Sequence, residues 1–210
     1  AVAELTMGLI LTIARGICMG NQALKEGKWI KKQLVGFELY GKTLGIIGFG
    51  RIGKEVAKRA RAFGMHVLAV SKGDISKEAS ELGVEVAKDL YDLLKRSDII
   101  SLHVPLTPET YHMISEEEFN IMKDGVVIIN TARGAVIDGK ALLKALKTGK
   151  VYAAGLDVYE HEPPQEGWEW ELVKHPRVIA VPHIGAQTRE AQEKAGVIIA
   201  QKILQALNIK

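Results

Sequence analysis

Leu44-Gly45-Ile46-Ile47-Gly48-Phe49-Gly50-Arg51-Ile52-Gly53 decides the reading of this chain. An apolar run from Thr43 to Ile47 reads as a buried strand. It breaks into glycines spaced GxGxxG, and a helical pattern opens at Arg51. Between a strand and a helix, that spacing marks a phosphate-binding turn. Gly48 permits the tight turn, Gly50 lets a pyrophosphate approach the backbone, and Gly53 lets helix and strand pack closely. The amides across Gly48, Phe49, Gly50, Arg51, Ile52 and Gly53, with the helix dipole behind them, attract an anion. A glycine turn without a ligand is the plain alternative, and the placement argues against it.

Outward from this turn, β-rich runs alternate with helical stretches. Strands are expected at Thr43–Ile47, His66–Val70, Asp98–His103, Val126–Asn130, Val151–Leu156 and Val178–Val181. Helices are expected at Arg51–Phe63, Ser76–Leu82, Leu90–Lys95, Ser115–Lys123, Gly139–Thr148 and Gln187–Leu207, with Ser115 and Glu118 spelling a capping box. The strands are nearly continuous apolar runs, as in a sheet covered on both faces. The alternation predicts an α/β fold: a doubly wound parallel sheet of the Rossmann type with right-handed crossovers. Residues 28–210 make up this nucleotide-binding domain, preceded by an N-terminal helix over residues 1–27 in which Val2, Leu5, Leu9 and Ile13 recur at helical spacing. Starting on such a helix, with no capping residue ahead of it, is expected of an excised piece. His161 to Lys174, with Pro163, Pro164, Trp168 and Trp170, is the one irregular excursion. It either shapes the site or packs its tryptophans onto the body as a surface loop.

The 210 residues suffice to bury a substantial core. Hydrophobic residues make up 47% and charged residues 25%, an ordinary globular balance. The 28 basic and 25 acidic residues are interspersed, leaving a net charge of +3 and no basic block for nucleic acid, so small-molecule partners are expected. Cys18 is alone and cannot form an internal disulfide, which fits a reducing, cytoplasmic location. The apolar opening from Ala1 to Arg15 is interrupted by Glu4 and too short to span a bilayer, so no membrane partner is expected. No HxxxH or His/Cys/Asp cluster indicates a metal.

Arg133, Glu162 and His183 each follow a β-like run. In a parallel sheet the carboxyl ends of the strands share one edge, and ligands bind in the crevice outside it. Three distant segments would thus aim a guanidinium, a carboxylate and an imidazole at one cleft, a set that fits hydride transfer coupled to proton transfer. Arg133 can fork onto a substrate carboxylate and keto oxygen, a geometry lysine cannot reproduce; a surface ion pair is its plain alternative. A carboxylate bonded to an imidazole fixes its tautomer and supports the protonated ring. His66, His103, His112, His161 and His175 read as non-catalytic, and His161 is the nearest competitor of His183.

Cofactor choice turns on the second strand. An acid about twenty positions past the fingerprint would hold the adenosine ribose hydroxyls, but here Leu68-Ala69-Val70 leads into Ser71-Lys72. A hydroxyl and an ammonium welcome a 2′-phosphate that a carboxylate would repel. NADP(H) is favoured over NAD(H), unless Lys72 is merely solvated or Asp74 reaches back to the ribose.

Five further segments accompany the glycine turn: His103-Val104-Pro105-Leu106-Thr107, Ile129-Asn130-Thr131-Ala132-Arg133-Gly134, Gly155-Leu156-Asp157-Val158-Tyr159, Glu162-Pro163 and Pro182-His183-Ile184-Gly185-Ala186. In this order they resemble the D-isomer-specific 2-hydroxyacid dehydrogenases, particularly the phosphoglycerate dehydrogenase and glyoxylate/hydroxypyruvate reductase branch. The resemblance implies an NAD(P)-dependent interconversion of a D-2-hydroxy acid and a 2-oxo acid. It implies that Arg133 binds the 2-oxo acid, that His183 is the acid/base and that Glu162 is its partner. Asp157 and the backbone of Thr131, Ala132 and Arg133 would hold the nicotinamide, Val104 and Pro105 would line the adenosine side, and His103, His183, Gly185 and Ala186 complete the cofactor-contacting set. The helix over residues 1–27 resembles the family's dimerisation helix, implying a homodimer. Ser71-Lys72 departs from the acidic residue of NAD-dependent members. The second, substrate-closing domain of the family, built mainly from residues ahead of this segment, is not seen, so the chain alone is expected to bind cofactor with little turnover. Two other readings stand beside this one. One is a nicotinamide-sensing interaction module of the corepressor kind; the other is an S-adenosylmethionine-dependent methyltransferase, which would not need the Arg/Glu/His set.

Overall fold

In the computed structural model, which describes residues 1–206, seven parallel strands form one sheet. They are β1 (Thr43–Ile47), β2 (His66–Val70), β3 (Glu85–Val86), β4 (Ile99–Leu102), β5 (Val126–Asn130), β6 (Val151–Leu156) and β7 (Val178–Ala180), in the order β3-β2-β1-β4-β5-β6-β7. The order reverses between β1 and β4, the switch point at which a crevice opens beyond the strand ends. Around the sheet lie α1 (Val2–Arg15), α2 (Ile17–Lys25), α3 (Arg51–Ala62), α4 (Ser76–Glu81), α5 (Leu90–Arg96), α6 (Glu116–Ile121), α7 (Gly139–Thr148), α8 (Gly167–Val173) and α9 (Arg189–Ala206).

Each face of the sheet has its own core. On one face α1, α3 and α4 bring Leu9, Ile10, Ile13, Val56, Ala57 and Ala79 onto the strands. On the other, α5 to α8 bring Leu93, Leu94, Phe119, Leu142, Leu146 and Leu172. A buried leucine or phenylalanine contributes roughly 2 kcal/mol, so covering both faces explains why β4 and β5 are buried at every position. The expected doubly wound sheet is the observed one. The capping box at Ser115 and Glu118 also forms.

Register fixes where the ligand edge lies. Val70, Ile47, Leu102, Asn130, Leu156 and Ala180 pair in a single line across β2, β1, β4, β5, β6 and β7. The next residue on each strand is Ser71, Gly48, His103, Thr131, Asp157 or Val181. Five of these six positions are among those expected to meet the cofactor.

Three expectations need correction. Residues 1–27 hold two helices, not one: Gly16 takes a left-handed φ of 60°, and α1 and α2 meet at a 65° bend. α1 is a core helix, with Ala3, Thr6, Met7, Leu9, Ile10, Ile13 and Ala14 buried, whereas α2 buries only Ala23. The excursion from His161 to Lys174 is not irregular throughout, because Glu166 and Glu169 form a reciprocal capping box that starts α8. Trp168 of this helix covers Gly139, where an added Cβ would lie 2.4 Å from its ring, while Trp170 stays exposed. Thirdly, β3 has no counterpart in the expected strands. α9 follows the expected last helix, whose final residue, Leu207, lies outside the described residues. No single helix among the described residues is long and apolar enough to cross a membrane.

Candidate active site

At the switch point, the glycine turn is made by what is missing. Gly48 has φ 95°, and a Cβ there would lie 2.6 Å from the His103 carbonyl oxygen. A Cβ on Gly53 would lie 2.2 Å from the Gly48 carbonyl oxygen, so α3 packs against the turn only because that atom is absent. Gly50 faces open space, with nothing within 4 Å of its would-be Cβ. Gly50 is also the N-cap of α3 and supplies no side-chain cap. An uncapped helix start beneath open space fits the pyrophosphate of a dinucleotide.

Beyond β4, the His103 Nε2 meets the Ser101 Oγ at 2.8 Å, while its Nδ1 is buried without a partner. Burial lowers this imidazole to about 4, so the ring is neutral at neutral pH. Ser71 and Lys72 are exposed past β2. Asp74 turns to its own chain, where its Oδ1 accepts from the Ser76 amide at 2.9 Å.

On the other side of the switch point, side chains shape the loops. After β5, the Asn130 amide accepts from the Ala132 N–H at 3.0 Å and donates to the Arg133 carbonyl at 2.9 Å. Thr131 meets Thr6 of α1 through their hydroxyls at 3.0 Å. The Arg133 side chain is exposed, and its Nη1 donates to the Ala132 carbonyl at 2.6 Å. Gly134 presses on the next loop so closely that a Cβ would lie 1.9 Å from the Tyr159 carbonyl.

After β6, Asp157 is 1% exposed. Its two oxygens accept from the Ile184 amide at 2.6 Å and the Gly185 amide at 2.9 Å, and its carbonyl accepts from the His183 amide at 2.9 Å. Burial pushes its carboxyl above its ordinary value, and the two amides offset part of that. Asp157 thus anchors the turn after β7, where His183 sits at φ 51°. A left-handed histidine costs about 1 kcal/mol and persists only because its surroundings hold it. The His183 Nδ1 lies 2.5 Å from the Glu162 Oε2, and the Glu162 Oε1 accepts from the Tyr159 amide at 3.2 Å. Tyr159 is fixed in turn by donating to the Val181 carbonyl at 2.9 Å, and burial raises its phenol to about 12. With the His183 side chain 50% exposed, its ring faces outward from the pair.

Glu162 and His183 are therefore in contact, as expected. Arg133 stands on the adjoining loop, but its guanidinium is folded onto its own backbone, with no bond to either. His161, the nearest competitor, has a different partner: its Nδ1 lies 3.2 Å from Glu169, which is 2% exposed. Glu169 also accepts from the amides of His161, Gln165 and Glu166, and these donors hold its carboxyl below its ordinary value despite burial. The sequence reading missed Glu169, because its capping partner Glu166 stands where a serine or threonine would signal a capping box. Among the described residues, no His/Cys/Asp/Glu group is arranged to hold a metal.

Comparison with known proteins agrees with this geometry. Residues 7–185 match the family model for the D-isomer specific 2-hydroxyacid dehydrogenase, NAD binding domain. The chain is 54% identical over 209 residues to the hydroxypyruvate reductase of Thermotoga maritima, covering 100% of this chain and 67% of that protein. It is 50% identical over 207 residues to the D-3-phosphoglycerate dehydrogenase of Methanocaldococcus jannaschii, covering 99% of this chain and 39% of that one. Among solved structures, the Aquifex aeolicus D-lactate dehydrogenase complexed with NAD and lactic acid superposes with a TM-score of 0.88 at 37% identity, covering 98% of this chain and 66% of the other. The chain thus spans from about two fifths to two thirds of the length of these three proteins.

Proposed function

The chain belongs to the D-isomer-specific 2-hydroxyacid dehydrogenases and carries their NAD-binding domain, and on that premise we propose that the protein interconverts a small D-2-hydroxy acid and the corresponding 2-oxo acid. The observation that carries this reading is the Glu162–His183 pair, 2.5 Å apart beyond the ends of β6 and β7. When bound, the nicotinamide supplies the hydride for reduction or accepts it for oxidation.

The chain's own residues do the rest. In the reductive direction, Glu162 holds Nδ1 of His183, leaving Nε2 to give a proton to the carbonyl oxygen. In oxidation the same nitrogen takes it back. Arg133 leaves the Ala132 carbonyl to fork onto the substrate carboxylate and stabilise charge on the reacting oxygen. The amides from Gly48 through Gly53, including those of Phe49, Arg51 and Ile52, hold the pyrophosphate. Val104 and Pro105 line the adenosine side beside His103. Thr131, Ala132, Asp157, Gly185 and Ala186 surround the nicotinamide, with Asp157 acting chiefly by holding the His183 turn. The methyltransferase reading falls to the family match, and no observation favours the corepressor-like one.

NADP(H) is the preferred cofactor in this proposal. Ser71 and Lys72 stand exposed where the ribose would lie, and Asp74 is engaged elsewhere. The protein pairs with a second copy through α2 and the stretch after it, where Ile17, Met19, Leu24 and Trp29 are exposed. The free Cys18, also exposed, suits a reducing cytoplasm.

The test follows reduced-nicotinamide absorbance in the full-length protein as 2-oxo acids are added. Replacing His183→Ala should lower turnover about a thousandfold while leaving cofactor affinity nearly intact. Undiminished turnover in that variant, or no oxidation with any 2-oxo acid, would overturn the reading. NADPH should bind more tightly than NADH, and Lys72→Glu should reverse that order.

A further inference from the structure

His112 takes no part in the chemistry above, yet its backbone is strained and its ring is largely buried. Its φ is 49°, left-handed for a residue with a Cβ, a conformation kept only when the surroundings impose it. Its amide donates to the Ala135 carbonyl at 2.8 Å, and its ring stacks on that of Tyr111 with centroids 4.0 Å apart. Both contacts aim the ring into the junction of three loops. There its Nε2 lies 3.3 Å from the Glu160 Oε1, off the line of a hydrogen bond, and has no other partner. The same Glu160 oxygen accepts from the Gly139 amide, at the start of α7, at 3.1 Å.

We propose that His112 is a positioning residue for the acid–base pair, acting through Glu160. The connection runs through adjacent atoms. Glu160, held between His112 and Gly139, fixes the peptide that follows Tyr159. Gly134, next to Arg133, presses on that peptide from the other side. The Tyr159 amide donates to Glu162, and Glu162 orients His183. His112, on the loop after β4, thereby joins the loop carrying Arg133, through its amide, to the loop carrying Glu162, through its ring. Its strained backbone sets the reach: a relaxed φ would redirect the side chain away from Glu160.

The inference rests on the dehydrogenase reading for its catalytic consequence, but not for its structural readout. His112→Gly removes the ring and relieves the left-handed strain, so the variant can fold while the clamp is lost. The primary readout is the imidazole NMR signal of the His183 Nδ1 proton in the 210-residue chain. It should shift in His112→Gly and in Glu160→Gln, and return toward wild type in His112→Gln, whose side-chain N–H reaches a similar point. In the full-length protein, turnover should fall about tenfold in His112→Gly with the cofactor KM unchanged, and recover in His112→Gln. An unmoved His183 signal in both His112→Gly and Glu160→Gln would overturn the proposal, as would unchanged turnover in His112→Gly. If the signal shifts but wild-type protein reduces no 2-oxo acid, the dehydrogenase reading fails and the positioning contact stands.

Discussion

The turn after β1 and the loops after β5, β6 and β7 stand on the same edge of one sheet but are built in opposite ways. The first is made of glycine backbone and presents the uncapped amides of α3, the groups proposed to hold the pyrophosphate. The others are tied down by buried or half-buried side chains, Asn130, Asp157, Tyr159 and Glu169, each hydrogen-bonded to main chain of its own or a neighbouring loop. At the turn the damage comes from an added atom; in the loops, where Gly134 alone is packed as tightly, it comes chiefly from a lost acceptor or donor. Division of labour follows from this. Anchoring a pyrophosphate needs only fixed dipoles, whereas moving a proton needs a titratable ring held at one angle.

The largest effect is expected of Gly53→Ala. Its Cβ would lie 2.2 Å from the Gly48 carbonyl oxygen, and neither backbone segment can yield without opening the turn. Cofactor affinity should drop about a hundredfold, near 3 kcal/mol, and stability by about 2 kcal/mol from overpacking. Gly50→Ala separates the two effects: its Cβ meets no protein atom, so melting should hold while binding weakens. Titration with reduced nicotinamide cofactor and urea unfolding read both. A Gly53→Ala chain that binds like wild type would show that the turn is not the anchor.

Acid probes the boundary between the two regions, where His103 lies. Its folded value of about 4 is below the 6.5 of a free imidazole, so the unfolded chain binds the proton first. The stabilisation is complete above pH 6.5 and is lost as the pH falls toward 4, about 2 kcal/mol of it between pH 7 and pH 5. Asp157, whose carboxyl is raised, works with the opposite sign. The measurement is therefore a difference: His103→Gln, which keeps a donor for Ser101, should flatten the loss of stability across this window. Parallel pH profiles for the two proteins would show that this imidazole is not buried in solution.

The backbone half was legible because only glycine fits at positions 48 and 53, and the strands because burial on both faces leaves long apolar runs. β3 was not legible: Glu85 and Val86 are both exposed and pair with β2 over two residues only. The break at Gly16 was hidden by the apolar Ile17-Cys18-Met19 that continues the helical pattern past it. α8 was hidden by Pro163 and Pro164 ahead of it and by a glutamate where a serine or threonine cap is usual. In the site, the pairing of Glu162 with His183 could be read because both follow strands that prove to be neighbours. The fold of Arg133 onto the Ala132 carbonyl is a matter of side-chain torsions that no spacing encodes. Glu160 and His112 are brought together by tertiary packing, with nothing in either local sequence to announce it.

Thr6 is the clearest instance of such support from outside the motifs, and the smallest effect expected. It lies 125 positions from Thr131, yet their hydroxyls meet at 3.0 Å, both buried. The Thr6 hydroxyl also donates to the Val2 carbonyl at 2.9 Å, so the Thr131 hydroxyl is the donor between the two. Thr6→Val preserves shape and removes the acceptor, leaving the Thr131 hydroxyl buried and unpaired at a cost of about 1 kcal/mol. The change is confined to the side-chain half. Urea unfolding should register the lost stability, and reduced-nicotinamide fluorescence of the bound cofactor should change, while affinity for ADP, which needs only the glycine turn and the adenosine side, stays at the wild-type value. Equal loss of ADP affinity would mean that the two halves are mechanically one, and that the division drawn between backbone and side chains does not hold.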